Sequence, residues 1–269
     1  MRFVGRRRSG KMTAMSKGTS RYSIESLSVL VVDDHRINRE FLGTGLGRVV
    51  GQVALAEDGP GAIGLCEQED FDVILMDLHM PGMDGLATAN RIRDLDRRSA
   101  HAQMVALTAD ARPEERLRLL EAGFDDYLNK PINIPDLVEA IEALFNPGAA
   151  RSPREQPAAP TQLIDRSRAL AAANGDTELA ARLQDMLSRE LDEKLPQLDR
   201  MIAAREYREA AELLHQWAGA GGYAGATRMT QACRMLRQRL LSGLDSSPGT
   251  SYLNFLRIAH ATRQTLRHI

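Results

Sequence analysis

No stretch of this 269-residue chain stays apolar for the ~20 residues that a membrane-spanning helix needs, so no insertion into a bilayer is expected. The basic N-terminus, MRFVGRRRSGKMTAMSKGTSR, lacks the apolar run of a secretory signal. It reads as a disordered tail over residues 1–26, with Met12 or Met15 as alternative starts. Only two cysteines occur, Cys66 and Cys233, far apart and without metal-ligand spacing. That argues against a disulfide framework and fits two reduced core thiols in a cytoplasmic protein. Aromatic residues make up 4% of the chain, so Leu, Ile, Val, Ala and Met must fill its cores.

What is present is the balance of an ordinary globular protein, with 43% apolar and 26% charged residues. The length suits two modest domains. The net charge of −1 is unevenly spread: residues 27–145 are strongly acidic, while the N-terminus and residues 161–269 are basic. An acidic first half argues against nucleic acid as its main partner.

From Ser28 onward, short apolar runs (Ser28–Val32, Gln52–Ala56, Val73–Met76, Met104–Leu107, Tyr127–Leu128) alternate with helical periods at about 36–48, 59–69, 85–97, 112–121 and 134–145. Runs without internal polar alternation fit strands buried on both faces, and the five-fold repeat predicts a doubly covered parallel sheet over 27–145. Residues 146–160 (NPGAARSPREQPAAP) carry four prolines and read as a linker. Beyond them strand signals vanish. Helical periods at about 176–205, 207–222, 227–242 and 250–267 predict an antiparallel bundle over 161–269. Asp176 is the expected N-cap of the first of these helices, and Pro196 predicts a kink or break within it.

In a doubly wound sheet the polar residues at strand carboxyl ends gather on one edge. That edge would collect Asp33 and Asp34 from the first strand, Asp77 from the third, Thr108 from the fourth and Lys130 after the fifth. Three carboxylates repel unless a cation sits among them, and Mg²⁺ (or Mn²⁺) takes carboxylates together with phosphate oxygens. The set fits phosphoryl transfer: Asp77 as nucleophile, Thr108 bonding one phosphoryl oxygen, Lys130 pairing with another.

The motifs LVVDDHRINR, VILMDLHMPGMDG, VALTAD and YLNKP resemble those of two-component receiver domains across residues 27–145. The resemblance implies a flavodoxin-like (βα)5 fold. It implies Asp33, Asp34 and the backbone carbonyl of His79 as metal ligands beside Asp77, which becomes the phosphoacceptor. It further implies Thr108 and Lys130 as the phosphate-sensing pair, and Tyr127 as an aromatic switch. The side chains of His79 and His35 are expected to face solvent or a partner.

In the second half, ELLHQWAGAGGYAG places Ala211, Glu212, Ala218, Gly219 and Gly222 around His215 on a helix. This leaves a shaved patch on which another active site can close, with Leu213, Trp217 and Tyr223 packing inward. Helix propensity alone would end the helix near Ala218, because each of the following glycines costs roughly 0.8–1 kcal/mol relative to Ala. HQWAGAGGYAG, with the flanking helices, resembles histidine phosphotransfer (HPt) domains over about 163–265, and the pair resembles the C-terminal part of tripartite hybrid sensor kinases. The resemblance implies an all-α bundle with His215 as the phosphohistidine. One departure stands out: the family often has Lys where this chain has Ala218. His260 and His268 are expected at the surface.

The combined expectation is a phosphorelay intermediary without a kinase core. It accepts a phosphoryl group on Asp77 from a histidine kinase or hybrid sensor kinase and passes it through His215 to or from a response regulator. The sequence also fits two other readings. In one, the helical half is an adaptor that is never phosphorylated. In the other it is a DNA-binding output using Arg228, Arg234, Arg237 and Arg239.

Overall fold

The computed structural model describes residues 23–108, 118–119, 122–145, 162–242 and 249–268. The predicted tail up to residue 22, the linker expected over 146–160 and most of the helix expected over 112–121 lie outside these residues. Ile24–Ser26, at the inner end of the expected tail, form a turn of 3-10 helix, and Ile24 packs on the core.

Strands β1 (Ser28–Val32), β2 (Gln52–Ala56), β3 (Val73–Asp77), β4 (Gln103–Thr108) and β5 (Asp126–Asn129) form one parallel sheet in the order β2-β1-β3-β4-β5. Helices α1 (Arg36–Leu46), α2 (Gly59–Gln68), α3 (Gly85–Arg93) and α4 (Ile134–Phe145) belong to the same half. The apolar runs divide by their period of two. Val29, Val31, Val73, Leu75, Val105 and Leu107 enter one core, whereas Leu30, Val32, Ile74, Met76, Met104 and Ala106 enter the other. Both faces are therefore covered, as all-parallel sheets require. This is the doubly covered parallel sheet that the residue pattern predicts and the flavodoxin-like fold that the resemblance implies. Helix α3 stops at Arg93, short of the expected 97. The Arg93 guanidinium is drawn onto the carbonyls of Ala100 and Ala102 at 2.8 and 2.7 Å.

The second half is helical: α5 (Arg166–Ala172), α6 (Thr177–Ala204), α7 (Tyr207–Tyr223), α8 (Thr227–Leu241) and α9 (Gly249–Leu266). Asp176 caps α6, accepting from the amides of Glu178 and Leu179 at 3.0 and 3.1 Å. Helix α6 runs unbroken through Pro196. An interior proline costs a helix about 3 kcal/mol, but Leu187, Leu191, Leu195 and Leu198 are buried on either side of it and tie both segments to the same core, so the predicted break does not occur. Pro196 itself is exposed, so water can meet the carbonyl it leaves without a partner. Helix α7 likewise continues past Ala218 to Tyr223, because its glycines sit where neighbouring atoms leave no room for a side chain. A Cβ at Gly222 would lie 2.4 Å from Pro131, and one at Gly221 would lie 2.8 Å from Thr230 Oγ1.

The two halves share one apolar core. Helix α1 packs against α6 and α7. Phe41 of α1 stacks on Tyr223 of α7, with ring centroids 4.1 Å apart and planes at 18°. Tyr223 therefore packs against the α/β half and not into the bundle interior, where Trp217 stacks on Phe255 at 6.0 Å. Around this apolar contact lie polar pairs. His35 Nε2 meets Glu190 at 2.9 Å, Arg182 meets Glu40 at 3.0 Å, and Arg48 meets Asp176 at 2.5 Å. His35 is thus buried against the helical half.

Candidate functional site

Because β1, β3, β4 and β5 lie side by side and parallel, their carboxyl ends deliver Asp33, Asp34, Asp77, Thr108 and Lys130 to one edge. Asp33, Asp77, Thr108 and Lys130 are all buried. Lys130 Nζ bonds Asp33 Oδ2 at 2.7 Å and Asp77 Oδ2 at 2.5 Å. Asn38, from the first turn of α1, donates to both oxygens of Asp33. The amide of His35 donates to Asp33, and that of His79 to Asp77. Burial works to strip the Lys130 proton, but Asp33 and Asp77 on either side hold it firmly cationic.

Asp33, Asp34 and Asp77 each offer an oxygen within 4.8 Å of the others. Lys130 answers Asp33 and Asp77, whereas Asp34 is met by the neutral amide of Gln216 at 2.5 Å. Burial, then the charges of Asp33 and Asp77, push the Asp34 carboxyl up to about 6. A hard divalent cation fits this donor set, since it takes carboxylate oxygens and relieves the surplus negative charge that raises Asp34.

Against this edge lies His215, on α7. Its ring centroid is 4.9 Å from that of His79, and ligand atoms of Asp77, His79 and His215 lie within 4.8 Å of one another. The imidazole is almost fully buried, but under the α/β half and not within its own bundle. Burial pushes its pKa down to about 2, and the charges of Lys130, His79 and Arg237 push the same way. Gly219 lies over Asn38, and a Cβ there would come 3.2 Å from the Asn38 amide. The shaved patch expected around His215 is thus the surface onto which the acidic site closes. Asp34, Asn38, Asp77, Lys130, His215, Gln216, Ala218, Gly219 and Arg234 enclose a cavity of about 10 Å³, the space of about one water molecule.

Tyr127, the expected switch residue, is half-buried on β5 and packs against the core on one face of the sheet. It does not line this cavity. Three polar residues that do line it escaped the sequence pattern: Asn38, Gln216 and Arg234. The first two stand one helical turn or one residue from a recognised position, so proximity in sequence could have flagged them. Arg234 comes from α8, 19 residues after His215 in the chain, and no local signal marks it. It is one of the four arginines that a DNA-binding reading would use, yet its Nη2 donates to the carbonyl of Lys130 at 2.9 Å. His260 and His268 are exposed, and Cys66 and Cys233 are buried and free, as expected.

Residues 29–142 match the response regulator receiver domain family, and residues 177–262 match the Hpt domain family. The chain is a receiver domain joined to an Hpt domain. It is 32% identical over 225 residues to the signal transduction histidine-protein kinase BarA of Escherichia coli K12, covering 81% of this chain and 24% of BarA. It is 33% identical over 229 residues to the sensor histidine kinase GacS of Pseudomonas protegens, covering 82% of this chain and 25% of GacS. The chain therefore spans about a quarter of the length of these curated relatives and corresponds to the C-terminal phosphorelay part of hybrid sensor kinases. Among solved structures, the receiver domain of the sensor histidine kinase PA1611 of Pseudomonas aeruginosa is 30% identical, covers 45% of this chain and 98% of that chain, and superposes with a TM-score of 0.41. It carries a magnesium ion in its active-site cleft. No helix among the described residues is long and apolar enough to cross a membrane.

Proposed function

We propose that this receiver–Hpt chain relays a phosphoryl group between Asp77 and His215 of the same molecule. The observation that carries the reading is the approach of the His215 imidazole to the Asp77 carboxylate, within 4.8 Å, a separation that one phosphorus atom bridges. A histidine kinase or hybrid sensor kinase in the cytoplasm would load Asp77, and His215 would exchange the group with a separate response regulator.

Positioning and electrostatics do most of the work in such a transfer. With its pKa near 2 in the docked state, His215 is unprotonated at neutral pH and keeps a ring-nitrogen lone pair for attack on phosphorus. The N–P bond forms as the bond from phosphorus to the Asp77 oxygen breaks. Asp77 leaves as a carboxylate, and the ring keeps its other N–H as a phosphorylated imidazolium. Lys130, already 2.5 Å from Asp77, receives the returning negative charge. Asp33, Asp34 and Asp77, with the His79 carbonyl, would hold Mg²⁺ (or Mn²⁺), which supplies charge neutralisation at the phosphoryl oxygens. Thr108 would bond one of those oxygens. Tyr127 would report the phosphorylated state.

The test is to load the full chain with labelled acetyl phosphate and follow acid-labile phosphohistidine over time. Wild type should pass label from Asp77 to His215 at a rate independent of protein concentration, and His215→Gln should hold all label on Asp77. Absence of alkali-stable, acid-labile label in wild type would refute the relay. A rate proportional to concentration would refute transfer within one molecule.

A further inference from the structure

Helix α7, which carries His215, sets no cation of its own beside the imidazole. Lys130 is engaged by Asp33 and Asp77, and Ala218, one helical turn beyond His215, supplies no charge at all. Helix α8 fills that gap. It crosses α7 closely where Gly221 meets Thr230. One turn beyond Thr230, Arg234 lines the same small cavity as Asp77, His215, Ala218 and Gly219. Small residues at 218 and 219 leave room there. The guanidinium head is fixed by the bond from Nη2 to the Lys130 carbonyl at 2.9 Å. A guanidinium has five N–H donors in a planar fork suited to phosphate oxygens, and this bond engages one of them.

Resting on the relay reading above, we infer that Arg234 is a catalytic residue of the transfer: its guanidinium bonds the phosphoryl oxygens as the group passes from Asp77 to His215. The charge count supports the assignment. A neutral imidazole and a dianionic acyl phosphate become a phosphoryl imidazolium and a carboxylate, with the overall charge unchanged. Throughout the step the three phosphoryl oxygens keep their negative charge, and Arg234 meets it from α8. Arg234 thereby supplies from α8 the cation that Ala218 does not supply from α7.

The assignment can be tested in the full chain, loaded on Asp77 with acetyl phosphate and Mg²⁺, by measuring transfer to His215 in rapid-quench experiments. Hydrogen exchange of the α1 amides would report docking separately. Arg234→Ala should slow transfer by about 100-fold, the usual loss for a donor aimed at developing charge, while α1 protection stays as in wild type. Arg234→Lys should recover part of the rate. Millimolar guanidinium ion added to Arg234→Ala should accelerate transfer several-fold and leave wild type unaffected, a rescue that a merely structural role would not give. Transfer in Arg234→Ala as fast as wild type, or slowed only in proportion to lost α1 protection, would overturn the assignment and leave the relay intact. A wild type that never labels His215 would instead refute the relay itself.

Discussion

The acidic edge of the receiver and the histidine face of the Hpt domain are built in opposite ways. Every polar group at the acidic edge arrives because a strand ends there. Asp33, Asp77, Thr108 and Lys130 are carried by their own sheet and the loop after it, and Lys130 bonds both Asp33 and Asp77. The histidine face is one helix surface that becomes a site only when a second domain covers it. Its depressed pKa reflects that covering, because burial and the Lys130 charge both come from docking. A site made by topology is complete in one domain, whereas a site made by docking exists only for as long as the two halves stay together.

The largest effect should come from the self-contained half. Asp77→Asn should abolish labelling of the chain by acetyl phosphate, measured by radiolabel retention; undiminished labelling would place the acceptor elsewhere. Next comes a change confined to the docking surface. Gly222→Leu adds a side chain where even a Cβ would lie 2.4 Å from Pro131, although the substitution favours the helix itself by roughly 0.8–1 kcal/mol. Asp77 should still label, while transfer to His215 falls by about 100-fold and becomes dependent on concentration as the benefit of proximity is lost. Unchanged transfer would mean that the two halves do not react in this arrangement.

A smaller effect follows from the His215 proton. Docking depresses the His215 pKa from an ordinary ~6.5 to about 2, so the open state binds the extra proton. The His215 contribution to docking is therefore fully present above pH ~6.5 and weakens by up to about tenfold per unit as pH falls below it. Comparing wild type with His215→Gln by α1 hydrogen exchange from pH 7.5 to 5 isolates this contribution; parallel profiles would contradict the buried, neutral imidazole. The smallest effects belong to the peripheral pairs, and they should be unequal. Glu190 is held down to about 2, against the effect of burial, by its hydrogen bond and charge interaction with His35 and by Lys194. Glu190→Ala should weaken docking by about tenfold. Arg182 is 59% exposed, so Arg182→Ala should cost about twofold and less at high salt. Equal losses by titrated docking measurements would show that burial does not rank these contacts.

The same contrast explains what the sequence could and could not disclose. Strand ends are fixed by short apolar runs, so the sequence alone places Asp33, Asp34, Asp77, Thr108 and Lys130 on one edge. The Asp176 cap was legible because capping is decided within three residues. Helix α7 beyond Ala218 and the unbroken course through Pro196 were not, because tertiary packing overrides local propensity in both places. Tyr223 was expected in the bundle interior, and only the partner ring of Phe41, from the other domain, explains where it lies. Arg234 was hidden for a related reason: its place depends on how α8 crosses α7, which residue spacing along one helix cannot express.

The nearly complete burial of Asp77, 2% exposed beneath the Hpt domain, sets an order of events. Under the relay proposed above, no kinase, regulator or small phosphodonor would reach the carboxylate while the two halves are closed, so each cycle would begin with their separation and would not finish before they close again. How long the closed state lasts would then limit the throughput of that relay, and a mutation that loosens the contact slightly would raise loading and lower delivery at once.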